Sequence, residues 1–230
     1  MSLFFDRKEA GQRLALALKE KIALENALVL ALPRGGIVVG AEVARVLNLP
    51  FDFWVVRKIG YPTNPEYAIG ALGEGGTVVL SEETGYPGME DYLKEAIPKE
   101  KEEISRRVAQ YRGNQKRVSL WGKTVVLVDD GLATGLTMKV AAREVKKEKP
   151  GRVVVAVPVA SSLAVKELQK EADQIIALDI PEPFFAVGDF YTHFEQVTDE
   201  EVKEILAKLS LSILKETKNH KSQNRKTVRF

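Results

Sequence analysis

Apolar residues follow two rhythms along this chain. Leu14, Leu18 and Ile22 recur every four positions, which predicts an amphipathic helix. Asp6 stands as its N-cap, with Glu9 three residues on in a variant of the capping box. Predominantly apolar runs at Ala27–Leu32, Phe51–Val56, Thr124–Val128, Arg152–Val159 and Gln174–Leu178 predict strands, most of them buried on both faces. Between them lie helical patterns through Leu47, through Met138, Ala141, Ala142 and Val145, and from Ser161 to Ala172. Alternating strands and helices imply an α/β fold with an open, mostly parallel sheet flanked by helices on both faces. Gly60, Pro62, Asn64 and Pro65 predict a loop from Arg57 to Tyr67. Ile69–Leu72 and Thr77–Leu80 predict a short hairpin around Gly73–Gly76. The charged segment from Glu90 to Arg112 is expected as two helices divided at Pro98, with Glu103 and Arg107 paired on its outer face. Thr198 and Glu201 frame a last helix with Val202, Ile205, Leu206 and Leu209 inward.

Composition narrows the chemistry. The 230 residues include no cysteine, which excludes disulfides, thiol catalysis and cysteine-held metals. His193 and His220 are the two histidines, too few for a His-rich metal site. No apolar run is long enough for a bilayer and no secretory signal is visible, so a cytoplasmic protein is expected. The stretch from Lys215 to Phe230 sets six basic residues against one Glu, whereas the rest is slightly acidic. A basic tail at 216–230 is expected to be solvated and disordered, after a single domain over 1–215. The body is not basic, so nucleic acid is not an expected partner.

The informative segment is Val125-Val126-Leu127-Val128-Asp129-Asp130-Gly131-Leu132-Ala133-Thr134-Gly135-Leu136-Thr137. A buried strand delivers two adjacent carboxylates to its C-terminal end, where ligands sit in open α/β sheets. The following loop and helix N-terminus offer amides, the Thr134 and Thr137 hydroxyls, and close backbone approach at Gly135. Carboxylates repel phosphate but suit hydroxyls or a cation, so a phosphorylated sugar satisfies both halves. The bland alternative has Asp130 and Thr134 capping the helix. A dinucleotide fold lacks support, because Pro33-Arg34-Gly35-Gly36 replaces the expected G-x-G-x-x-G.

On these residues the chain resembles the type I phosphoribosyltransferases, and within them a bacterial branch of unassigned acceptor. The family signature has four apolar residues, two acids, a variable triplet, Thr-Gly, and a second Thr two residues later; residues 125–137 match it. The resemblance implies that Asp129 and Asp130 hold the ribose hydroxyls of phosphoribosyl pyrophosphate. It implies that Gly131 and the loop of Ala133, Thr134, Gly135, Leu136 and Thr137 hold the 5′-phosphate. Arg34, Gly35 and Gly36 look like the family's pyrophosphate loop, often built on a strained or cis peptide. Arg57 and Lys58 begin the segment similar to its mobile catalytic loop. Mg²⁺ is the implied cofactor, with Asp129 and Asp130 as indirect contacts, and a homodimer is a common state in the family.

The implied reaction transfers phosphoribosyl to a nitrogenous base and releases pyrophosphate. Ala133 stands where 6-oxopurine enzymes carry an Asp, which argues against that acceptor class and leaves adenine open. A small hood from parts of 1–26 and 180–197 is expected over the acceptor. In the run Pro183–Tyr191 the rings either stack on a base or form plain core, and Asp189 is a candidate base contact. The competing function is a non-catalytic nucleotide-binding regulator, touching RNA through the basic tail.

Overall fold

The computed structural model describes residues 2–85 and 88–209. The expected boundary after residue 215 and the basic stretch beyond it lie outside the described residues. In chain order the elements are α1 (Arg7–Lys21), β1 (Ala27–Ala31), α2 (Gly35–Leu47), β2 (Phe51–Phe53), β3 (Val56–Tyr61), β4 (Asn64–Gly73) and β5 (Val78–Leu80). They continue with α3 (Met89–Arg112), β6 (Thr124–Val128), α4 (Leu136–Lys147), β7 (Arg152–Val159), α5 (Ser162–Leu168), β8 (Gln174–Asp179) and a final helix α6 at 199–209. No helix among the described residues is long and apolar enough to cross a membrane.

Five strands form a parallel sheet in the order β2-β1-β6-β7-β8. Alternate residues of each strand face opposite layers. Val29, Ala31, Val126, Val128, Val154 and Ala156 pack toward α1 and α2, against Leu14, Leu18, Val39 and Val43. Leu28, Leu30, Val125, Leu127, Val153 and Val155 pack toward α4 and α5, against Met138, Ala141, Val145 and Leu168. Burial on both faces explains why these strands read as predominantly apolar runs rather than alternating ones. From β1 the chain crosses to one side of the sheet and from β6 to the other, which opens a crevice at the β1–β6 boundary. Ala31 lies opposite Val128, so Pro33–Gly36 and Asp129–Asp130 leave the sheet side by side.

The predicted loop at 57–67 is instead two antiparallel strands, β3 and β4, extended by β5 into a second sheet. Gly60 sits where the β3–β4 register shifts, so this glycine marks a bulge and not the end of a strand. The buried side chains Ile59 and Ile69 secure the pair by packing on Met89 and Leu93 of α3. The single strand expected over 51–56 is split, because Trp54 ends the pairing with β1 and turns the chain into β3. Pro98 does not divide its segment. α3 runs as one helix through it, sacrificing one backbone bond while Leu93 and Ile104 stay buried on the same face.

Glu144 of α4 fastens the second sheet to the first. Its carboxylate is almost fully buried and accepts from Trp54 Nε1 at 2.7 Å, Gly75 N at 3.0 Å and Thr77 N at 2.7 Å. The end caps follow the sequence patterns. Asp6 accepts from the amides of Lys8 and Glu9, and Thr198 and Glu201 exchange bonds through their side chains and amides. Beside β8, Phe4 bridges to Tyr191, and both rings are buried with Ala10 and Val159.

Candidate active site

Asp129 and Asp130 follow the last residue of β6, and the chain turns from them through Gly131 toward α4. Arg7, the first residue of α1, donates from Nε to Asp130 Oδ2 at 2.8 Å. The same guanidinium donates to the Glu195 carbonyl and lies 3.7 Å from the centre of the Phe194 ring. Tyr191 donates its hydroxyl to the Asp130 carbonyl at 2.6 Å. Asp130 is thus held through side chain and backbone at once. Asp129 accepts the Asp130 amide at 2.8 Å. Desolvation, and then the charge of Asp130, push the Asp129 carboxyl well above the ordinary range.

The Pro33-Arg34-Gly35-Gly36 segment lies directly against these acids. A Cβ on Gly35 would come 1.8 Å from Asp130 Oδ2, and one on Gly36 would come 2.9 Å from Asp129. Only glycine leaves space for both carboxylates at the start of α2. The Pro33–Arg34 peptide is cis. Arg34 caps α2 without a side-chain cap bond, and its guanidinium reaches Asp199 at 3.7 Å.

The loop at 131–137 is tied down at Leu132, whose amide donates to the Val159 carbonyl at 3.0 Å, before it meets α4. Gly135 is the N-cap at φ +75°, no side chain caps the helix, and its first turn carries no acid. The capping alternative therefore fails for Asp130, whose side chain is turned to Arg7. Thr134 Oγ1 accepts the Leu136 amide only at 3.5 Å. Ser161 buttresses the loop by donating to the Ala133 carbonyl at 2.5 Å while capping α5. Such a helix start carries positive potential and unsatisfied donors.

Two cavities meet at this loop. The first, of about 1060 Å³, is lined by Asp130, Gly131, the Ala133–Thr137 loop, Lys58, Tyr67 and, from the far wall, Phe184 and Phe185. The second, of about 680 Å³, shares Lys58 and Thr137 with the first and is lined by Arg34, Arg57, Lys99 and Arg107. Arg57 sits on β3, with Nε 2.8 Å from Glu100 Oε2 of α3.

Arg34, Arg57, Lys58, Asp130, Gly131 and Ala133–Thr137 line the two cavities, and Asp129, Gly35 and Gly36 line neither but lie against Asp130 or its neighbour; Asp189 does not join them. Its carboxylate accepts the Ala186 amide at 3.2 Å inside a short turn, and it lines neither cavity. The aromatic run divides by position. Phe185 is 81% exposed over the first cavity, whereas Tyr191 is buried core. Arg7 and Ser161 went unrecognised in the sequence. Arg7 meets its partner across 123 residues, with no local motif to announce it. Ser161 carried a local signal as the cap of α5, which hid its second bond.

Among known proteins, a Mycobacterium tuberculosis protein named "putative phosphoribosyl transferase" is 40% identical over 204 residues, in two strains. That alignment covers 88% of this chain and 46% of the relative, so the chain spans about half the length of the curated relatives it matches. The crystal structure of the protein TT1426 from Thermus thermophilus is 44% identical, with a TM-score of 0.73. The match covers 91% of this chain and 99% of that one. The family model described as the phosphoribosyl transferase domain matches residues 6–190, which include both glycine-rich and acidic segments of the crevice. With β6, its acidic pair and the open-ended α4 in the arrangement described, the chain belongs to the phosphoribosyl transferase domain family.

Proposed function

We propose that this protein transfers 5-phosphoribosyl from phosphoribosyl pyrophosphate to a nitrogenous base, releasing pyrophosphate. One observation carries the reading: Asp130 and the 131–137 loop line an aromatic-walled cavity that meets a cation-walled one at Lys58 and Thr137. A phosphoribosyl donor needs that sequence of environments, with the base on one side of the ribose and the diphosphate on the other.

In this reading Ala133–Thr137 binds the 5′-phosphate through loop amides, the two Thr hydroxyls and the open start of α4. Asp129 and Asp130 take the ribose hydroxyls. Arg7 keeps one Asp130 oxygen engaged and leaves Oδ1 for the sugar. The bond from ribose C1 to the pyrophosphate oxygen breaks as the bond from C1 to the base nitrogen forms, and the base loses its proton. Positive charge grows on the ribose while negative charge grows on the leaving group. Arg34, Arg57, Lys58 and the amides of Gly35 and Gly36 supply preorganised donors to that negative charge.

The chemistry of the site fits Mg²⁺. Asp129 and Asp130 give a partial carboxylate set, which suits an ion that keeps waters and takes most of its oxygens from phosphate. When bound, the ion neutralises charge on the diphosphate. The acceptor lies beneath a hood from parts of 1–26 and 180–197, where Tyr67, Phe184 and Phe185 offer stacking faces.

The test is pyrophosphate release from Mg²⁺–phosphoribosyl pyrophosphate, with pooled purine and pyrimidine bases and a no-base control. Base-dependent release is expected, and dividing the pool identifies the acceptor. No release above control, together with no binding of the donor, would overturn the proposal.

A further inference from the structure

The cation-walled cavity is larger and more basic than the segments so far assigned to it explain. Arg34, Arg57 and Lys58 come from the first half of the site, but one whole wall is α3. Tyr92, Glu95, Ala96, Lys99, Glu100 and Arg107 line it from that helix. Spacings of three, four and seven to eight residues put them along one face. In all, five cations and the carboxylates Glu95 and Glu100 line it, with Asp199 and Glu103 pairing Arg34 and Arg107 from its edge.

Arg107 is the notable member. The sequence placed it on the outer face of α3, yet it is 8% exposed. Its Nε donates to Glu103 Oε1 at 2.7 Å. Its two Nη groups make no hydrogen bond among the described residues, although the Asp199 carboxylate lies within reach of its charge, and the side chain borders the cavity. Burying a guanidinium with donors unmet is costly unless they face water or a ligand. Lys99 lies two turns earlier on the same face. It is exposed, and its side chain has no ion pair among the described residues. Arg57 and Arg34 are likewise engaged by carboxylates, Glu100 at 2.8 Å and Asp199 at 3.7 Å.

We propose that Lys99 and Arg107 of α3 are additional ligands for the leaving pyrophosphate, making this helix a wall of the substrate site. The assignment rests on the phosphoribosyl reading above for the identity of the anion. A planar guanidinium offers two parallel donors to phosphate oxygens, and an ammonium offers a point charge. Arg107 binds the diphosphate through its Nη groups while Glu103 holds its Nε. Lys99 adds charge at the open side.

The experiment titrates the full chain by calorimetry with two probes, Mg²⁺–pyrophosphate and ribose 5-phosphate. The variants are Lys99→Ala, at an exposed position, and Arg107→Lys, which keeps the charge and its neighbour Glu103. Each variant is expected to weaken pyrophosphate binding about ten-fold, equivalent to about 1.4 kcal/mol. Ribose 5-phosphate, which lacks the diphosphate, should bind each variant within about two-fold of the parent protein. Pyrophosphate affinity unchanged in both variants would overturn the proposal, as would equal losses for both probes, which mark a disturbed scaffold. A loss confined to one variant keeps that residue and removes the other. If the parent protein binds pyrophosphate but not ribose 5-phosphate, and the variants lose it, the α3 anion site stands and the phosphoribosyl reading falls. If the parent protein binds neither probe, both fall.

Discussion

Gly35→Ala tests the joint between the glycine-rich turn and the acidic pair. The added Cβ would stand 1.8 Å from Asp130 Oδ2 and 2.6 Å from its Cγ. Ordinary contact begins near 3.4 Å, so the carboxylate oxygen has to retreat by about 1.6 Å. That movement breaks the 2.8 Å bond from Arg7 and carries Asp130 away from the crevice. A misplacement of about 1 Å at a positioned group costs on the order of 100-fold in rate. The variant should therefore lose about 100-fold in turnover, equivalent to about 2.7 kcal/mol, and bind Mg²⁺–phosphoribosyl pyrophosphate at least about ten-fold more weakly through the displaced Asp130. The fold should survive. Gly35 does not have a positive φ, and alanine favours the helix by roughly 0.5–1 kcal/mol over glycine. Overpacking opposes this by about 1–3 kcal/mol, leaving a net loss of at most about 2.5 kcal/mol. Calorimetric titration with the donor, paired with urea unfolding, separates the two effects. Donor binding within about three-fold of the parent protein would refute the reasoning, because Asp130 would then tolerate displacement without cost to the ligand.

Three other outcomes follow from the same contacts. Asp130→Asn should lower donor affinity or turnover about ten-fold or more while leaving the urea midpoint near that of the parent, since Arg7 retains an oxygen acceptor there; unchanged binding and turnover would remove Asp130 from the site. Glu144→Gln puts an amide NH₂ opposite a backbone or indole donor and should destabilise the fold by about 1–3 kcal/mol in chemical denaturation. Hydrogen bonds from Arg106 and Arg107 depress the Glu103 carboxyl from 4.5 to about 2, so its contribution is present above pH 4.5 and fades as pH falls toward 2. Glu103→Gln should thus cost about 1 kcal/mol near pH 7 and match the parent protein as pH approaches 2, which urea midpoints across that range would check.

Much of the site could be read in sequence because its parts are local. Val125–Thr137 contains strand, acids, loop and helix start in thirteen consecutive residues, and each obeys a short-range rule. The Pro33–Gly36 turn was legible as a turn. Its role as the only backbone thin enough to lie against two carboxylates was not, since that depends on β1 and β6 being neighbours. The 57–67 segment misled because Gly and Pro mark loops and bulges alike. Packing of Ile59 and Ile69 on α3 decided for a strand pair. Asp189 misled for a related reason, since a carboxylate beside aromatic rings in sequence was turned back onto its own chain.

The sequence alone determined the alternation of buried strands and amphipathic helices, the helix caps at Asp6 and Thr198, and the acidic strand end with its open loop. All of these rest on interactions within a few residues, where spacing and side-chain chemistry suffice. The tertiary structure decided which groups meet: Arg7 on Asp130, Glu144 under the second sheet, and the buried Arg107 on the wall of the basic cavity. Those pairings depend on strand order and on which face of α3 turns inward. A side chain's neighbours across a hundred residues are set by the packing of whole layers, which no local pattern records.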